Sequence, residues 1–159
     1  MTIPKEYRTI ETEVRLPYRL ACGATWTRFF EGLKEEKIYG SRCSKCRRVL
    51  VPARTFCPRC FVDTDDWVEV SQEGTIEAWV LVHYRYFGMP IEPPYISGLI
   101  RLEGTDTNFL HLIGGVPLDN LETVKAAVRN GMKVKAVWEE EKLGHILDIR
   151  HFAPSQGQK

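Results

Sequence analysis

The chain has 159 residues, 43% of them hydrophobic, and its 22 basic and 21 acidic residues give a formal net charge of +1. This length suits one core-bearing domain with a small appended module, and the balanced charge argues against a protein that binds polyanions over its whole surface. No apolar run is long enough for a membrane-spanning helix, and no secretory pattern opens the chain, so we expect a cytoplasmic protein.

The first part of the chain predicts an arm followed by a helix. Residues 1–24 show no clean period and carry two prolines, which indicates an extended N-terminal arm. An amphipathic helix is predicted over residues 25–40, with Thr25 as its N-cap. Its apolar face carries four large side chains at helical spacing: Trp26, Phe29, Phe30 and Leu33. That face either packs against the rest of the chain or docks in part on another subunit.

Next come two C-x2-C pairs separated by ten residues, formed by Cys43, Cys46, Cys57 and Cys60. The two-residue gap lets both thiolates of a pair point at one ion, and two such pairs complete a tetrahedral S4 site. We therefore predict a zinc ribbon over residues 41–64, with structural Zn²⁺ that has no open coordination position. Two disulfides fit poorly, because no signal peptide is found and the chain also holds an unpaired fifth cysteine, Cys22. A thioredoxin-like redox pair fits poorly, because it would have to sit in a βαβ unit and two pairs so close together do not. Iron in a rubredoxin-like cage is the remaining alternative.

The ribbon and its entry are basic. Between residues 34 and 60 the chain has eight lysines and arginines and only two acidic residues, which is a local excess of six positive charges. The barrel strands that follow are close to neutral.

From Trp67 onward the pattern is typical of strands, with one helix that begins at a capping box formed by Asp119 and Glu122. The predicted strands are Trp67–Val70, Thr75–Tyr84, Tyr95–Leu102, Asn108–Ile113, Lys133–Trp138 and His145–His151. This order predicts a mainly β protein in which an OB-fold barrel occupies residues 65–152, followed by a flexible tail at 153–159.

The residues disfavour two function classes, single-stranded nucleic-acid binding and catalysis by this chain alone. A single-strand nucleic-acid binder needs a basic groove on the barrel, and here the positive charge is confined to the ribbon. The sequence shows no nucleophile elbow, phosphate loop or dinucleotide fingerprint. Its four histidines lie in separate segments: His83, His111, His145 and His151. We therefore predict no catalytic residue in this chain.

The motifs, in this order, resemble a family of zinc-ribbon OB-fold proteins associated with acyl-CoA enzymes, long catalogued as a domain of unknown function. The resemblance covers about residues 25–140. It is carried by Phe29–Cys43, the ribbon end Cys57-Pro58-Arg59-Cys60, Trp67–Ser71, Gly74–Ile76, Glu92–Tyr95 and Gly131–Val134.

Members of that family act as accessory subunits of thiolases, of hydroxymethylglutaryl-CoA synthase assemblies and of steroid side-chain hydratases or aldolases. The resemblance implies a non-catalytic subunit in a hetero-oligomer, in which a thiolase-fold partner supplies the catalytic residues and a CoA ester is the ligand. A thiolase of aromatic degradation, such as the one that cleaves benzoylsuccinyl-CoA, would suit the aromatic-rich loop. The alternatives are a subunit of an acyl-CoA hydratase or aldolase, and a single-stranded nucleic-acid binder.

The resemblance also directs attention to two groups of side chains. Basic residues of the ribbon are expected to contact CoA phosphates or an acidic partner surface, because arginine pairs with phosphate oxygens in a forked geometry. They are Arg42, Lys45, Arg47, Arg48, Arg54 and Arg59. Aromatic residues of the proline-rich loop are expected to line an acyl pocket or an interface. They are Tyr84, Tyr86, Phe87 and Tyr95.

Overall fold

The structure is a computed structural model that describes residues 10–14, 16–86, 88–89 and 91–155. Its first helix, α1, spans Gly23–Lys34, and Cys22 at its N-cap makes no side-chain capping bond. The helix therefore starts before Thr25, the predicted cap, and it ends before residue 40 because the chain turns at Lys34 into a strand. Phe29 and Leu33 are buried on the core side of α1, whereas Trp26 is 52% exposed. The described residues of the arm, up to Cys22, are exposed.

Three short strands form the ribbon sheet: β1 (Ile38–Arg42), β2 (Val49–Leu50) and β3 (Asp66–Val70), antiparallel in the order β2-β1-β3. The sequence analysis placed β3 in the barrel, but Ile38 pairs with Val70 and Arg42 with Asp66, so β3 belongs to the ribbon sheet. The sheet lies close against α1 at Gly32. A Cβ atom at that position would come within 2.5 Å of the Tyr39 ring, so only glycine allows this approach.

Five strands then close into a barrel in the order β4-β5-β6-β8-β7. They are β4 (Glu73–Val82), β5 (Tyr95–Leu102), β6 (Phe109–Ile113), β7 (Lys133–Trp138) and β8 (Ile149–Pro154). Helix α2, Leu121–Ala127, lies between β6 and β7. The barrel closes where β6 runs parallel to β8, through the pair Ile113 and Phe152. The prediction of a mainly β fold with a barrel after the cysteine-bearing segment is confirmed.

Several predicted boundaries shift. Strand β4 begins and ends two residues earlier than predicted, and β8 begins at Ile149 rather than His145, because Ile146–Asp148 form a 3-10 turn. Asn120, rather than Asp119, caps α2, because its side-chain oxygen accepts the backbone N–H of Thr123 at 2.9 Å. Strand β8 continues to Pro154, two residues into the predicted tail, because Ala153 and Pro154 pair with β7. Residues 156–159 of that tail, and residues 1–9 and 15 of the arm, lie outside the described residues. Neither described helix is long and apolar enough to cross a bilayer.

The turn between β5 and β6 fastens the ribbon to the barrel. The Asp106 carboxylate accepts the backbone N–H of Val49 at 2.9 Å, and the Asp106 N–H donates to the Val49 carbonyl at 2.9 Å. The Thr107 hydroxyl accepts the Val51 N–H at 2.8 Å and donates to the Val51 carbonyl at 3.0 Å. The turn thus takes the place of a neighbouring strand for this part of the ribbon. The apolar core is also continuous, because α1, β1 and β2 contribute to the cluster that fills the barrel.

Candidate metal centre and ligand groove

The two cysteine pairs are held by the same backbone hydrogen bonds. In the first, the Cys43 N–H donates to the Arg48 carbonyl at 2.9 Å, and in the second the Cys57 N–H donates to the Val62 carbonyl at 2.8 Å. The residue after each pair, Arg47 or Phe61, has a positive φ of 63° or 53°. These repeated turns fold each C-x2-C segment back on itself, so that its two sulfurs point the same way.

The four sulfurs form one cluster whose Sγ atoms all lie within 4.8 Å of one another. Cys43 and Cys57 are fully buried. The Sγ atoms of Cys46 and Cys57 are 3.8 Å apart, which is far longer than a disulfide bond. Tetrahedral zinc with Zn–S bonds of about 2.3 Å requires S–S separations of about 3.8 Å, so the spacing fits this ion.

Two of the four thiols have pKa values that differ from the ordinary value, in opposite directions. The backbone N–H of Cys46, 3.4 Å from the Cys43 sulfur, lowers the pKa of the Cys43 thiol to about 6. Burial raises the pKa of the Cys60 thiol to about 12. The cluster therefore does not carry four thiolates near neutral pH on its own, and a divalent ion would supply the positive charge that they need.

The six basic residues predicted for the site are spread over the ribbon. Lys45, Arg47 and Arg48 lie on the first cysteine turn, Arg59 lies on the second, and Arg42 forms an ion pair with Asp66 at 3.4 Å. Arg54 stands apart from these, because it lines two adjoining grooves beside α1.

The larger groove is an apolar cleft of about 410 Å³ between α1, the ribbon and the barrel. Its walls include Trp26, Phe29, Phe30, Pro52, Ala53, Arg54, Asn108, Phe109, Leu110 and Ile146. We call this cleft the ligand groove. Three of its residues belong to the aromatic face predicted for the first helix. The others come from three segments that lie far apart in the sequence. On that helix face, Leu33 and Phe29 pack on the core, and Phe29 also lines the groove together with Trp26 and Phe30.

The backbone of Arg54 is fixed by two buried hydroxyls. The Ser41 hydroxyl accepts the Arg54 N–H at 3.0 Å and donates to its carbonyl at 3.0 Å. The Thr64 hydroxyl donates to the same carbonyl. Because both backbone groups are satisfied by side chains, the backbone from which the Arg54 side chain extends is fixed at the groove.

On the opposite wall, the loop before β8 is organised by a buried carboxylate, that of Asp148. It accepts the backbone N–H groups of Leu143 at 3.0 Å, Gly144 at 2.8 Å and His145 at 3.1 Å. This loop carries Ile146 to the groove, and the Ile146 carbonyl lies 3.0 Å from Nε2 of His111. The sequence analysis did not single out Asp148, because an isolated aspartate gives no local signal of burial.

His111 is a buried histidine, only 6% exposed, and its ring stacks on Phe109 with a centroid separation of 5.6 Å. Burial lowers its pKa below the ordinary value. The unfolded chain therefore takes up a proton at a higher pH than the folded chain. The contribution of neutral His111 to the free energy of unfolding is therefore complete above the ordinary histidine pKa, about 6.5. It is lost as the pH falls through the lowered pKa of the folded chain.

We expect the free energy of unfolding of the wild type to fall between pH 7.5 and pH 5.5, and the fall to be smaller in His111→Gln. Urea titrations at several pH values measure both. His83→Gln, at an exposed site, is the control and should keep the wild-type slope. Any release of metal by acid is common to all three proteins and cancels in the comparison. Equal pH dependence of the free energy of unfolding in His111→Gln and the wild type would show that His111 does not have a lowered pKa.

The described aromatic residues of the proline-rich loop, Tyr84, Tyr86 and Tyr95, do not line the groove. Tyr84 and Tyr86 are 66% and 56% exposed, with ring centroids 6.4 Å apart. Tyr95 is half-buried at the start of β5, opposite Val82. Phe87 lies outside the described residues. The role predicted for these four residues as an acyl pocket or interface therefore stays a prediction.

Two domain families match consecutive parts of the chain. Residues 30–66 match the rubredoxin-like zinc ribbon domain of ChsH2, and residues 67–139 match the C-terminal OB-fold domain of ChsH2. A curated relative from Thermomonospora curvata, described as a probable enoyl-CoA hydratase alpha subunit, is 27% identical over 112 residues. The alignment takes in 70% of this chain and 32% of the relative, so the chain spans about a third of the length of the curated relative that it matches.

Solved structures share the fold. A protein of unknown function from the DUF35 family of Sulfolobus solfataricus is 28% identical, with a TM-score of 0.60 over 84% of this chain and 87% of its own. An aldolase described as Ltp2-ChsH2(DUF35) has a TM-score of 0.60 over 86% of this chain and 98% of its own. At 23% identity, this second likeness shows the fold alone.

Proposed function

Because the chain belongs to the ChsH2, or DUF35, family of zinc-ribbon and OB-fold proteins, we propose that it is a non-catalytic, zinc-bearing subunit of an enzyme complex that processes acyl-CoA esters. The observation that carries this proposal is the ligand groove with Arg54 at its wall. An apolar cleft with a cation at its wall suits a ligand that joins an apolar arm to phosphates.

In this proposal the four cysteines hold structural zinc. Cys43, Cys46, Cys57 and Cys60 occupy all four positions of the ion, so the metal stabilises the ribbon and takes no part in the reaction. Its effect on the groove is indirect. The second cysteine turn follows Arg54 closely in the chain, and the ribbon forms one wall of the cleft.

The CoA ester would place its pantetheine arm in the groove and its phosphates against Arg54. A guanidinium binds phosphate through two parallel N–H···O bonds, which fixes the orientation as well as the position of the anion. Lys45, Arg47, Arg48 and Arg59 would add positive potential at the ribbon surface, towards either the phosphates or an acidic partner surface. Arg42 would contribute less, because Asp66 already neutralises part of its charge.

The reacting groups would come from the partner, which makes the protein one part of a cytoplasmic hetero-oligomer. In the described part of the chain, two of the histidines have structural contacts. His111 is buried against the Ile146 carbonyl, and His145 caps the turn before β8. One relative is described as a probable enoyl-CoA hydratase alpha subunit, which supports a hydratase partner, and an aldolase shares the fold. A thiolase-fold partner, including one that cleaves benzoylsuccinyl-CoA, rests on the family resemblance and the aromatic loop.

The first test is to purify the tagged chain from its native cells and identify the proteins that elute with it in stoichiometric amount. We expect one catalytic partner, with acyl-CoA turnover by the complex and none by the isolated chain. The fold of the partner distinguishes a thiolase from a hydratase or aldolase. Absence of any stoichiometric partner, or elution with nucleic acid, would contradict the proposed function.

The same complex tests the role of Arg54. We expect Arg54→Glu to weaken CoA binding by about 10- to 100-fold, because a charge-assisted hydrogen bond is lost and a repulsive charge is added. Isothermal titration with CoA measures this. Arg129→Glu, at an exposed arginine outside the ribbon, is the matched control and should bind CoA like the wild type.

A further inference from the structure

A one-residue irregularity in β4 decides which side chains the barrel exposes. The pairing of β4 with β5 shifts register between Ile76 and Ala78, with Glu77 as the additional residue. After such a bulge, side chains that would otherwise point into the barrel point outward, and those that would point outward point in. Ile76 is fully buried before the bulge, and after it Trp79 and Leu81 pack against the core. Val80 therefore points outward and is 56% exposed.

The residues that the bulge turns outward meet other apolar residues on the neighbouring strands. Ala78 pairs with Leu99, and Leu99 pairs with Leu110, so these three form one row across the outside of the barrel. The next row runs from Val80 through Ser97 to Leu112. We call the apolar members of these two rows the outer face: Ala78, Val80, Leu99, Leu110 and Leu112.

An apolar outer face is unusual for an antiparallel barrel, whose strands normally alternate between apolar residues inside and polar residues outside. Leu110 is 63% exposed and Leu99 is 39% exposed. The outer face ends at the bulge, where the charged side chains of Glu77 and Arg101 form an ion pair at 3.3 Å. The outer face is therefore an apolar area with a charged border, which is typical of a protein interface.

The outer face is continuous with the mouth of the ligand groove. Leu110 belongs to both, and the half-exposed ring of Trp26 also lines the groove. A protein that sits on the outer face and reaches Trp26 covers the open side of the groove. It is thus placed to act on whatever the groove holds.

We propose that the outer face is the docking surface for the catalytic subunit, an inference that rests on the proposed function. The position of the groove favours the catalytic subunit, rather than a second copy of this chain, as the protein that binds the outer face. A bound acyl-CoA can react only if the chain that closes the groove carries the reacting groups, and we assign none to this one. The matching surface of the catalytic subunit is apolar and nearly free of charge, because a charge buried against Val80 and Leu110 would lose its hydration without gaining a partner.

The test uses the full-length chain and the catalytic subunit identified by native purification. Val80→Glu and Leu110→Glu each place a carboxylate in the centre of the proposed interface. We expect each to weaken association by at least roughly 30-fold, the loss found at interface hot spots. Leu121→Glu, on α2, is the matched control, since Leu121 is 47% exposed and lies on another element. It should bind within about twofold of the wild type.

Circular dichroism and zinc content establish that the variants are folded, which is expected because the replaced side chains are exposed. If a complex forms and both outer-face variants bind like the wild type, the docking surface is wrong and the proposed function stands. If the wild type forms no complex, the proposed function itself fails. If the isolated chain sediments as a dimer that Leu110→Glu dissociates, the face belongs to a second copy and the inference is overturned.

Discussion

Cys57→Ser is expected to lose the zinc and with it most of the native structure of the ribbon. Free energies of zinc binding in small zinc domains are about 10–16 kcal/mol, which equals or exceeds the total stability of a typical domain, about 5–15 kcal/mol. Cys57 is fully buried, and its sulfur lies 3.8 Å from that of Cys46. Serine keeps the volume but is a poor zinc ligand, so the other three sulfurs would remain with an incomplete shell.

Metal content per chain, circular dichroism and limited proteolysis measure the effect. Cys22→Ser is the matched control, because Cys22 is exposed and lies outside the cluster. It should retain one zinc per chain and the wild-type melting temperature. One zinc per chain and an unchanged melting temperature in Cys57→Ser would show that the cluster is not a structural metal site.

Phe109→Ala is expected to have the second largest effect, a loss of about 3–5 kcal/mol in the free energy of unfolding. Phe109 is 1% exposed, and its ring lies between those of Phe29, His111 and Phe152, with centroid distances of 6.5, 5.6 and 6.1 Å. Removing it opens a cavity where α1 meets β6 and β8. In a protein of this size, the melting temperature should fall by roughly 10 °C.

Urea unfolding with zinc in excess measures this loss. Leu110→Ala is the control, since the neighbouring side chain is 63% exposed and should cost less than about 1 kcal/mol. If Phe109→Ala does not fold, Phe109→Leu gives a smaller loss that still exceeds that of the control. Equal losses at the two positions would show that the core does not depend on this aromatic cluster.

The fold was largely predictable because its signals are local. The spacing of the four cysteines specifies two similar turns, and each turn brings its own two sulfurs together. Runs rich in β-branched and aromatic residues, bounded by turn residues, likewise predicted the five strands of the barrel. The boundaries of α1 and α2 were less accurate, because capping depends on one side chain and several residues can serve.

The candidate site was harder to predict, for two physical reasons. The ligand groove is assembled from segments as distant as Trp26 and Ile146, and no local pattern shows that they meet. The bulge at Glu77 was invisible because Trp79, Val80, Leu81 and Val82 are all apolar. A strand of this kind has no preferred inward face in its sequence, so the register shift alone decides which residues reach the surface.

The hydrogen bonds of Asp106 and Thr107 to the ribbon bear on how this architecture evolves. The two domain families meet near residue 66 in the sequence, which suggests two modules that can be recombined there. In the folded chain, the β5–β6 turn supplies the partners of Val49 and Val51 from beyond that boundary. A ribbon grafted from a relative at residue 66 would leave these backbone groups unpaired unless the recipient's turn matched. The unit that evolution can exchange is therefore the ribbon together with the turn that holds it.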